Sequence, residues 1–312
     1  MNEFELIAKL TADLATGQGV VAGVGDDCAV LDAGVADQWL LFKTDAVVEG
    51  IHFTSETAPR QIGRKALARC LSDIAAMGGK PTYALVTLAL PRDFDAPRIE
   101  AVYAGLRALA DEHQVAIVGG ETTTSPGGML ISIALLGCVA KGKALLRSGA
   151  KVGDALFVTG ELGGSLAGRH LDFEPRLAAA AWLNEHFAIH AMIDVSDGLA
   201  GDLRHVLKAS GCGAELLGSM IPISRAAKLK ARNESSAKPP LLAALMDGED
   251  FELLFTLAAG KAVALKDAWA KRFPDLKLSC IGKITGERRL RIVTEQGVRD
   301  LTEHGYAHFQ KS

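Results

Sequence analysis

The chain has 312 residues, of which 49% are hydrophobic and 23% are charged, and its formal net charge at pH 7 is −3. This composition excludes a disordered chain, a collagen-like fibre and a small disulfide scaffold, and the length predicts about two domains. A weakly acidic chain lacks the basic surface needed to bind nucleic acid or an anionic membrane, so we expect neither partner.

The five cysteines are odd in number and include no CxxC pair. We interpret them as reduced thiols, which excludes a zinc site and a disulfide framework and predicts a cytoplasmic protein. The N-terminus, MNEFELIAKL, lacks the basic region and apolar stretch of a signal peptide. No apolar run approaches the roughly 18 residues of a membrane span.

Apolar spacing in the first half of the chain predicts helices alternating with buried strands. The predicted helices, each with an apolar stripe, are 2–15, 60–77 and 97–112. The predicted strands, short apolar runs bounded by Gly or Pro, are 39–44, 83–90, 115–118 and 129–139. The sequence then changes to the Lys- and Gly-rich run KGKALLRSGAKVGD, where we place a domain boundary, giving domains 1–142 and 143–312.

The second half continues the same alternation, so the predicted fold class is α/β. The predicted strands are 155–159, 191–195, 214–221 and 251–257, followed by a strand-rich tail from 278. The predicted helices lie within 163–188 and at 198–209, 240–246 and 261–273. The polar, basic segment 225–240 predicts a surface loop, with its charges on a solvated face.

Acidic residues recur in Gly-rich turns beside predicted strand ends. They are Asp26, Asp27, Asp45, Glu121, Asp194, Asp197, Glu249 and Asp250. Each one alone also fits a turn former or a helix cap. Ligands of α/β folds bind at strand ends, however, and several carboxylates meeting there repel one another unless cations lie between them. Oxygen ligands without a His/Cys cluster suit Mg²⁺, so the pattern favours Mg-nucleotide or Mg-phosphate chemistry.

Two helices carry further candidates. Asp73 lies near the end of the second predicted helix, where either a pair with Arg69 four residues earlier or a metal-ligand role is possible. The segment 193–211 predicts a strand that breaks into a helix, with Ser196 or Asp197 as the N-cap. A helix N-terminus favours anions, so an Asp there indicates that a cation mediates a phosphate contact.

Other motifs that would explain such chemistry are missing. The sequence contains neither a GxxxxGK[ST] P-loop nor a GxSxG elbow. Gly23 and Gly25 lead into a strand-like run rather than a helix, which excludes a dinucleotide fingerprint. His186 and His190, four apart on a predicted helix, lack the Glu of a zinc protease motif.

Eight ordered blocks of the sequence resemble the thiamine-monophosphate kinase family. They are GVGDDCAVL (23–31), KTDAVVEGIHF (43–53), LSDIAAMGGKP (71–81), VGGETT (118–123), LLRSGAKVGD (145–154), TGELGGSLAG (159–168), IDVSDGLAGDL (193–203) and GEDFELLF (248–255). The resemblance covers nearly the whole chain, including the terminal GYAHF. The superfamily also contains aminoimidazole ribonucleotide synthetase, selenophosphate synthetase and a hydrogenase-maturation dehydratase, and VEGIHF and GEDFEL favour the thiamine-phosphate branch.

The resemblance implies a two-domain aminoimidazole ribonucleotide synthetase-like fold of the α/β (α+β) class. The N-terminal domains would pair into the barrel of a homodimer, and ATP would lie in a cleft partly covered by the C-terminal α/β sandwich. The implied reaction is direct, in-line transfer of the γ-phosphoryl group of MgATP to thiamine monophosphate. The acceptor phosphate is already ionised at pH 7, so we assign no general base and no catalytic residue.

The resemblance also implies roles for individual residues. Several Mg²⁺ ions would be held by Asp27, Thr44, Asp45, Asp73, Glu121, Asp194 and Asp197. The nucleotide would contact Gly120, Glu121, Arg147 and Ser196. The acceptor would contact His52 and Glu249.

Three residues depart from the family pattern. Lys43 stands where Ser or Thr is usual, and would supply a positive charge in place of one Mg²⁺ or fill that ion's site. Glu121 replaces an Asp and is one methylene longer. Glu303 falls where many members have a Trp that stacks on the thiamine, so about 1 kcal/mol of stacking would be lost.

Two alternatives to the kinase remain open. One is a sister enzyme that uses the same ATP cleft on another phosphate or carboxylate acceptor. Selenophosphate synthetase is disfavoured because no Cys precedes Cys28, and the dehydratase because the sequence ends HFQKS without a terminal Cys. The other alternative is a non-catalytic nucleotide-binding protein, suggested by Lys43 and Glu303 but opposed by the retained acidic residues.

Overall fold

A computed structural model describes residues 3–14 and 17–306. Its helices, α1 to α9, are Glu3–Thr11, Pro59–Ala76, Ala96–Glu112, Arg169–Asp172, Leu177–His186, Leu199–Ser210, Arg225–Asn233, Pro240–Met246 and Ala262–Arg272. Its strands, β1 to β13, are Val20–Ala22, Ala29–Leu31, Gln38–Val48, Lys80–Leu90, Ala116–Thr124, Leu130–Ala140, Asp154–Thr159, Ile189–Asp194, Gly213–Leu217, Leu253–Ala258, Leu278–Thr285, Leu290–Thr294 and Gly297–Asp300.

The first six strands form one mixed sheet in the order β1-β2-β3-β6-β4-β5. Only the β4–β5 pair is parallel among these strands. Helices α2 and α3 cover one face, and the core between them and the sheet includes Leu41, Leu71, Leu106 and Ile133. The alternation of buried and partly exposed residues along β6 follows from the period of two in a strand with one buried face.

Two glycines allow α2 and α3 to cross closely. A Cβ atom at Gly63 would lie 1.9 Å from the carbonyl oxygen of Val102, and one at Gly105 would lie 2.0 Å from that of Arg60. Neither position has room for a side chain, so the two helices pack backbone against backbone. This close crossing fixes α2, which carries several site residues.

The other seven strands form a second mixed sheet in the order β13-β12-β9-β11-β7-β10-β8. Along β7, Leu156 and Val158 pack into a core that also contains Leu203 of α6, whereas Phe157 packs on the opposite side with Trp269 of α9. Helices therefore cover both faces, and every residue of β7 is buried. The predicted α/β two-domain architecture is confirmed.

The face of the first sheet opposite α2 and α3, which we call the open face, carries large exposed apolar side chains. They are Phe42, Tyr83, Leu85 and Val118. A contiguous apolar surface on a sheet is typical of an interaction site.

Most predicted elements are present, and the strands of the first sheet extend beyond their apolar cores. The predicted strand 115–118 runs to Thr124, because its polar second half still pairs with β4. The prediction of a loop at 225–240 is wrong: α7 fills its first part, with the hydroxyl of Ser224 accepting a hydrogen bond from the N–H of Ala227 and Ala227 buried. His186 and His190 do not share a helix, because α5 ends and β8 begins between them.

The domain limits 1–142 and 143–312 remain a prediction, although the change from one sheet to the other falls between the ends of β6 and β7. All five cysteines are unpaired thiols. No helix within the described ranges is both long and apolar enough to cross a bilayer.

Candidate functional site

Three buried carboxylates meet where the two sheets face each other across α2. Asp27 precedes β2, Asp73 lies in the last turn of α2 and Asp194 ends β8. One oxygen from each lies within 4.8 Å of the others. We call these three residues the acidic cluster.

Each member has a different partner. Arg147 Nη2 donates to Asp27 Oδ1, Lys43 Nζ lies 3.2 Å from Asp73 Oδ2, and Ser72 Oγ lies 2.5 Å from Asp194 Oδ2. The second oxygen of Asp27, Oδ2, is buried, and no described residue hydrogen-bonds to it. A buried, unpaired carboxylate oxygen is costly unless a ligand satisfies it.

The pKa values of two members of the acidic cluster are raised. Burial and the charge of Asp27 raise the pKa of Asp194 to about 7, although Ser72 and Lys43 oppose the shift. Burial also raises the pKa of Asp73 well above its usual range, against the lowering effect of Lys43. Carboxylates placed this close favour either a shared proton or a cation between them.

The donor set fits a hard divalent cation such as Mg²⁺. All three residues offer carboxylate oxygens, and the orphaned Asp27 Oδ2 gives a metal an unsatisfied ligand. Mg²⁺ prefers oxygen ligands and commonly binds through one or two carboxylates together with substrate phosphates. Asp27, Asp73 and Asp194, all predicted as metal ligands, are thus brought together.

A cavity of about 280 Å³ adjoins the acidic cluster, and its lining includes His52, Arg69, Ser196, Glu249 and Tyr306. Ser196 follows Asp194 by two residues, and Arg69 precedes Asp73 by one turn of α2. The predicted acceptor residues His52 and Glu249 therefore share one cavity next to the acidic cluster.

A charged network fixes one wall of this cavity. The fully buried Lys65 donates to Glu249 Oε2 at 2.6 Å and to the carbonyl of His52 at 2.6 Å. Arg69 donates to Asp45 Oδ2 at 2.9 Å and to Glu249 Oε1 at 3.3 Å. These bonds hold Glu249 in a left-handed backbone conformation, with φ of 63°, which a non-glycine residue adopts only when its surroundings enforce it.

His52 is neutral in this setting. Burial, followed by the charge of Arg69, lowers its pKa to about 4. The backbone N–H of Val48 donates to Nδ1 at 3.0 Å, which places the single ring proton of the neutral form on Nε2. His52 is thus set up as a hydrogen-bond donor through Nε2.

Sequence reasoning missed Lys65 and Tyr306, and considered Arg69 only as a partner of Asp73. The signal for Lys65 and Arg69 was a basic residue on an otherwise apolar helical stripe, but their carboxylate partners are far away in sequence. Glu303 pairs with Arg299 at 2.6 Å, and Tyr306 lines the cavity; the loss of stacking expected at Glu303 stays a prediction.

Thr44 and Glu121 lie apart from the acidic cluster. Side chains alternate along β3, so Lys43 and Asp45 face the core while Thr44 is exposed on the open face. Glu121 lies opposite Thr87 in the register of β4 and β5 and is also exposed. Gly120, just before it, is required by close strand pairing, because a Cβ there would lie 1.8 Å from the oxygen of Val86.

The loop after β8 differs from its prediction in one respect. Neither Ser196 nor Asp197 caps α6; the N-cap is Gly198, with φ of 104° and no side-chain cap. The N–H of Asp197 instead donates to the buried carboxylate of Asp202 at 3.1 Å. Asp73 does not pair with Arg69, which contacts Asp45 and Glu249.

Comparisons with known proteins agree with this geometry. The profile of the AIR synthase related protein, N-terminal domain, matches residues 25–139, and that of the C-terminal domain matches 151–295. A thiamine-monophosphate kinase of Rhodopirellula baltica is 44% identical over 299 residues, covering 93% of this chain and 92% of that protein. One from Bacillus subtilis is 34% identical over 336 residues, covering 99% and 100%. A solved structure described as AaThiL complexed with AMPPCP and TMP has a TM-score of 0.83 at 29% identity, covering 99% and 97%.

Proposed function

The chain belongs to the AIR synthase related family and, within it, to the thiamine-monophosphate kinases, and from this premise we propose that it phosphorylates thiamine monophosphate with ATP. The γ-phosphoryl group of ATP is transferred to the acceptor phosphate, giving thiamine diphosphate and ADP. The observation that carries the proposal is the acidic cluster placed directly beside a cavity with its own polar wall.

The nucleotide side of the reaction is assigned to the acidic cluster. Asp27, Asp73 and Asp194 would hold Mg²⁺, which supplies charge neutralisation to the phosphates when bound. Arg147, now paired with Asp27, presents a planar guanidinium that suits phosphate oxygens, and Ser196 borders the same region. Asp45, held by Arg69, and Asp197, which follows the end of β8, complete the proposed metal-binding side in this copy of the chain.

The acceptor side is assigned to the cavity. Glu249 and the ring of Tyr306 suit a cationic heteroaromatic molecule, and the Nε2–H of His52 is a donor for the acceptor. Lys65 and Arg69 hold the Glu249 carboxylate in place. The acceptor phosphate would then point toward the acidic cluster, where the γ-phosphoryl group of ATP would be held.

These residues act by positioning and charge neutralisation. Both reactants are polyanions, so their mutual repulsion opposes the approach that in-line transfer requires. An acceptor phosphate needs no base at neutral pH, and no general base is assigned. We propose direct transfer without a phospho-enzyme, because the described site residues are assigned to metal binding and to hydrogen bonding with the substrates, and none is assigned as a nucleophile.

A homodimer is part of the proposal. Pairing two copies through the open face would bury Phe42, Tyr83, Leu85 and Val118. It would also bring the exposed Thr44 and Glu121 of each copy against the other, which is how these residues, with Gly120 beside Glu121, would take part in a metal or nucleotide site. Sedimentation as a monomer at micromolar concentration would contradict this pairing. The free cysteines support a reducing, cytoplasmic location.

Phosphorus NMR of the reaction products tests the proposed function. The protein is incubated with MgATP and either thiamine monophosphate or unphosphorylated thiamine, the matched control acceptor. We expect ADP and thiamine diphosphate in equal amounts with the phosphorylated acceptor and neither product with thiamine. ATP binding without thiamine diphosphate would assign the site to a different acceptor, and absence of ATP binding would refute the nucleotide assignment.

A further inference from the structure

We infer that the ammonium group of Lys43 is a resident cation of the acidic cluster and takes a position that a divalent metal ion would otherwise occupy. This inference rests on the proposed use of MgATP at the cluster. It assigns Lys43 as a residue that sets how many metal ions the chain binds.

The contact is direct and enclosed. Lys43 lies on the core face of β3, and its Nζ is 3.2 Å from Oδ2 of Asp73, with side-chain exposures of 25% and 11%. Asp45 and Asp27 also act on Lys43 electrostatically, so acidic groups of three separate elements face it. Several carboxylates arranged in this way form a binding position for a cation, and the ammonium group of Lys43 occupies it.

The charge balance shows why a second divalent ion would compete with this lysine. With all three acids ionised, as a bound metal requires, Arg147 balances Asp27 and Lys43 balances Asp73, so one formal negative charge is unbalanced, on Asp194. Without Lys43 two charges would be unbalanced, and the Asp73 oxygen that now faces the ammonium would become available as a ligand. A divalent cation is then attracted more strongly at short range, where Coulomb energy in a protein is large.

A titration of Mn²⁺ in the presence of AMPPCP and without any acceptor tests the inference. The variants are Lys43→Met and Lys43→Gln, which remove the charge, and Lys43→Arg, which keeps it. The matched control is Lys141→Met, because Lys141 forms a 3.0 Å ion pair with Asp32 at the surface, away from the acidic cluster. Calorimetry gives the number of ions and their dissociation constants, and thermal unfolding with and without Mn²⁺ gives the stabilisation.

We expect both neutral variants to bind one more Mn²⁺ per chain, or to bind the same number at least about tenfold more tightly, a change of about 1.4 kcal/mol. They should also gain more thermal stability from Mn²⁺ than the wild type does. Lys43→Arg and Lys141→Met should match the wild type.

Equal metal numbers and affinities in all variants would overturn the inference. Failure of both neutral variants to fold even with Mn²⁺ would also overturn it, because a divalent ion then cannot replace the ammonium. The titration contains no thiamine phosphate, so a chain that acts on another acceptor still gives the expected metal numbers. Conversely, thiamine diphosphate formation with unchanged metal numbers would refute this inference alone.

Discussion

The acidic cluster and a second group of buried acids in the described part of the chain differ in how completely the protein provides them with partners. Asp250 and Glu252, which we call the matched pair, are surrounded by basic and hydroxyl donors. Arg169 donates to Asp250 at 2.7 Å, and both Arg169 and Arg176 donate to Glu252, at 3.0 and 2.6 Å. The hydroxyl of Thr159 completes the set at 2.7 Å from Glu252. The acidic cluster, in contrast, contains three acids and leaves Asp27 Oδ2 without a donor from the described residues.

The difference separates a structural role from a ligand-binding role. Removal of one member of a buried, fully paired ion network leaves its partners charged and unpaired, which strongly destabilises the folded state. Neighbouring carboxylates that lack enough partners raise one another's pKa and gain stability from an added cation. We therefore expect substitutions in the matched pair to reduce stability, and those in the acidic cluster to reduce function.

Removal of Glu252 should give the largest effect on stability. Glu252→Ala leaves Arg169 and Arg176 without their shared carboxylate in a largely buried setting, so we expect a loss of about 3 kcal/mol in the free energy of unfolding. Urea unfolding measures this, with the exposed Glu185→Ala as the control. A loss below about 1 kcal/mol would show that the matched pair does not carry the structural role assigned to it.

Removal of one charge from the acidic cluster should affect turnover instead. Asp194→Asn keeps the size of the side chain but weakens the proposed Mg²⁺ site, so we expect kcat/KM to fall by about 100-fold or more, which is about 2.7 kcal/mol. The unfolding free energy of the metal-free protein should stay the same or rise. Full turnover in a folded Asp194→Asn protein would refute the metal assignment.

The pH dependence of stability involves both groups of acids, because burial raises the pKa of Asp250 to about 7, as it does that of Asp194, and only a variant isolates Asp194. The pKa of Asp194 is raised to about 7 from an ordinary 3.8 by burial and by Asp27. Between these values the folded, metal-free protein holds a proton that the unfolded chain has released, so stability falls as the pH rises through this window. We expect Asp194 to contribute a fall on the order of 2 kcal/mol, seen as the difference in unfolding free energy between the wild type and Asp194→Asn. Urea unfolding of both proteins with a chelator at several pH values measures this difference, because the buried His52, whose pKa is lowered to about 4, makes the total stability rise over part of the same range. A wild-type advantage over Asp194→Asn that grows with pH would contradict the assignment.

The smallest effect concerns the cavity lined by Tyr306. Tyr306→Ala removes its aromatic ring, so we expect KM for thiamine monophosphate to rise about fivefold, corresponding to about 1 kcal/mol of ring contact. Tyr306→Phe should retain the wild-type value. Initial-rate kinetics distinguishes the two variants, and Glu303→Gln should leave KM unchanged. A larger effect from Glu303→Gln than from Tyr306→Ala would contradict the assignment of the ring contact to Tyr306.

The sequence allowed the fold to be predicted more fully than the site. Apolar periodicity and Gly or Pro boundaries located α2, β4 and α6 within a few residues, because burial of one face leaves a regular pattern. The helix α7 was missed, because its buried face is narrow and its composition is polar. Motif resemblance brought Asp27, Asp73 and Asp194 to one place, although nothing in their spacing shows that they meet.

Other features of the site depend on contacts between residues distant in sequence. Lys65 and Arg69 contact Glu249, which lies more than 170 residues later, so helical spacing alone could not assign them. The separation of Thr44 from Asp45 follows from strand alternation, but it becomes visible only when the buried face of β3 is known. The position of Tyr306 at the cavity depends on the path of the chain after β13.

Mg²⁺ binding by Asp27→Asn most directly tests whether the unmatched carboxylate oxygen marks the metal site. Calorimetric titration with AMPPCP present compares this variant with the wild type and with Glu252→Gln, the substitution in the matched pair. The account predicts that Asp27→Asn weakens Mg²⁺ binding by about 100-fold or more, while any folded Glu252→Gln protein binds as the wild type does. Unchanged Mg²⁺ binding in Asp27→Asn would contradict it.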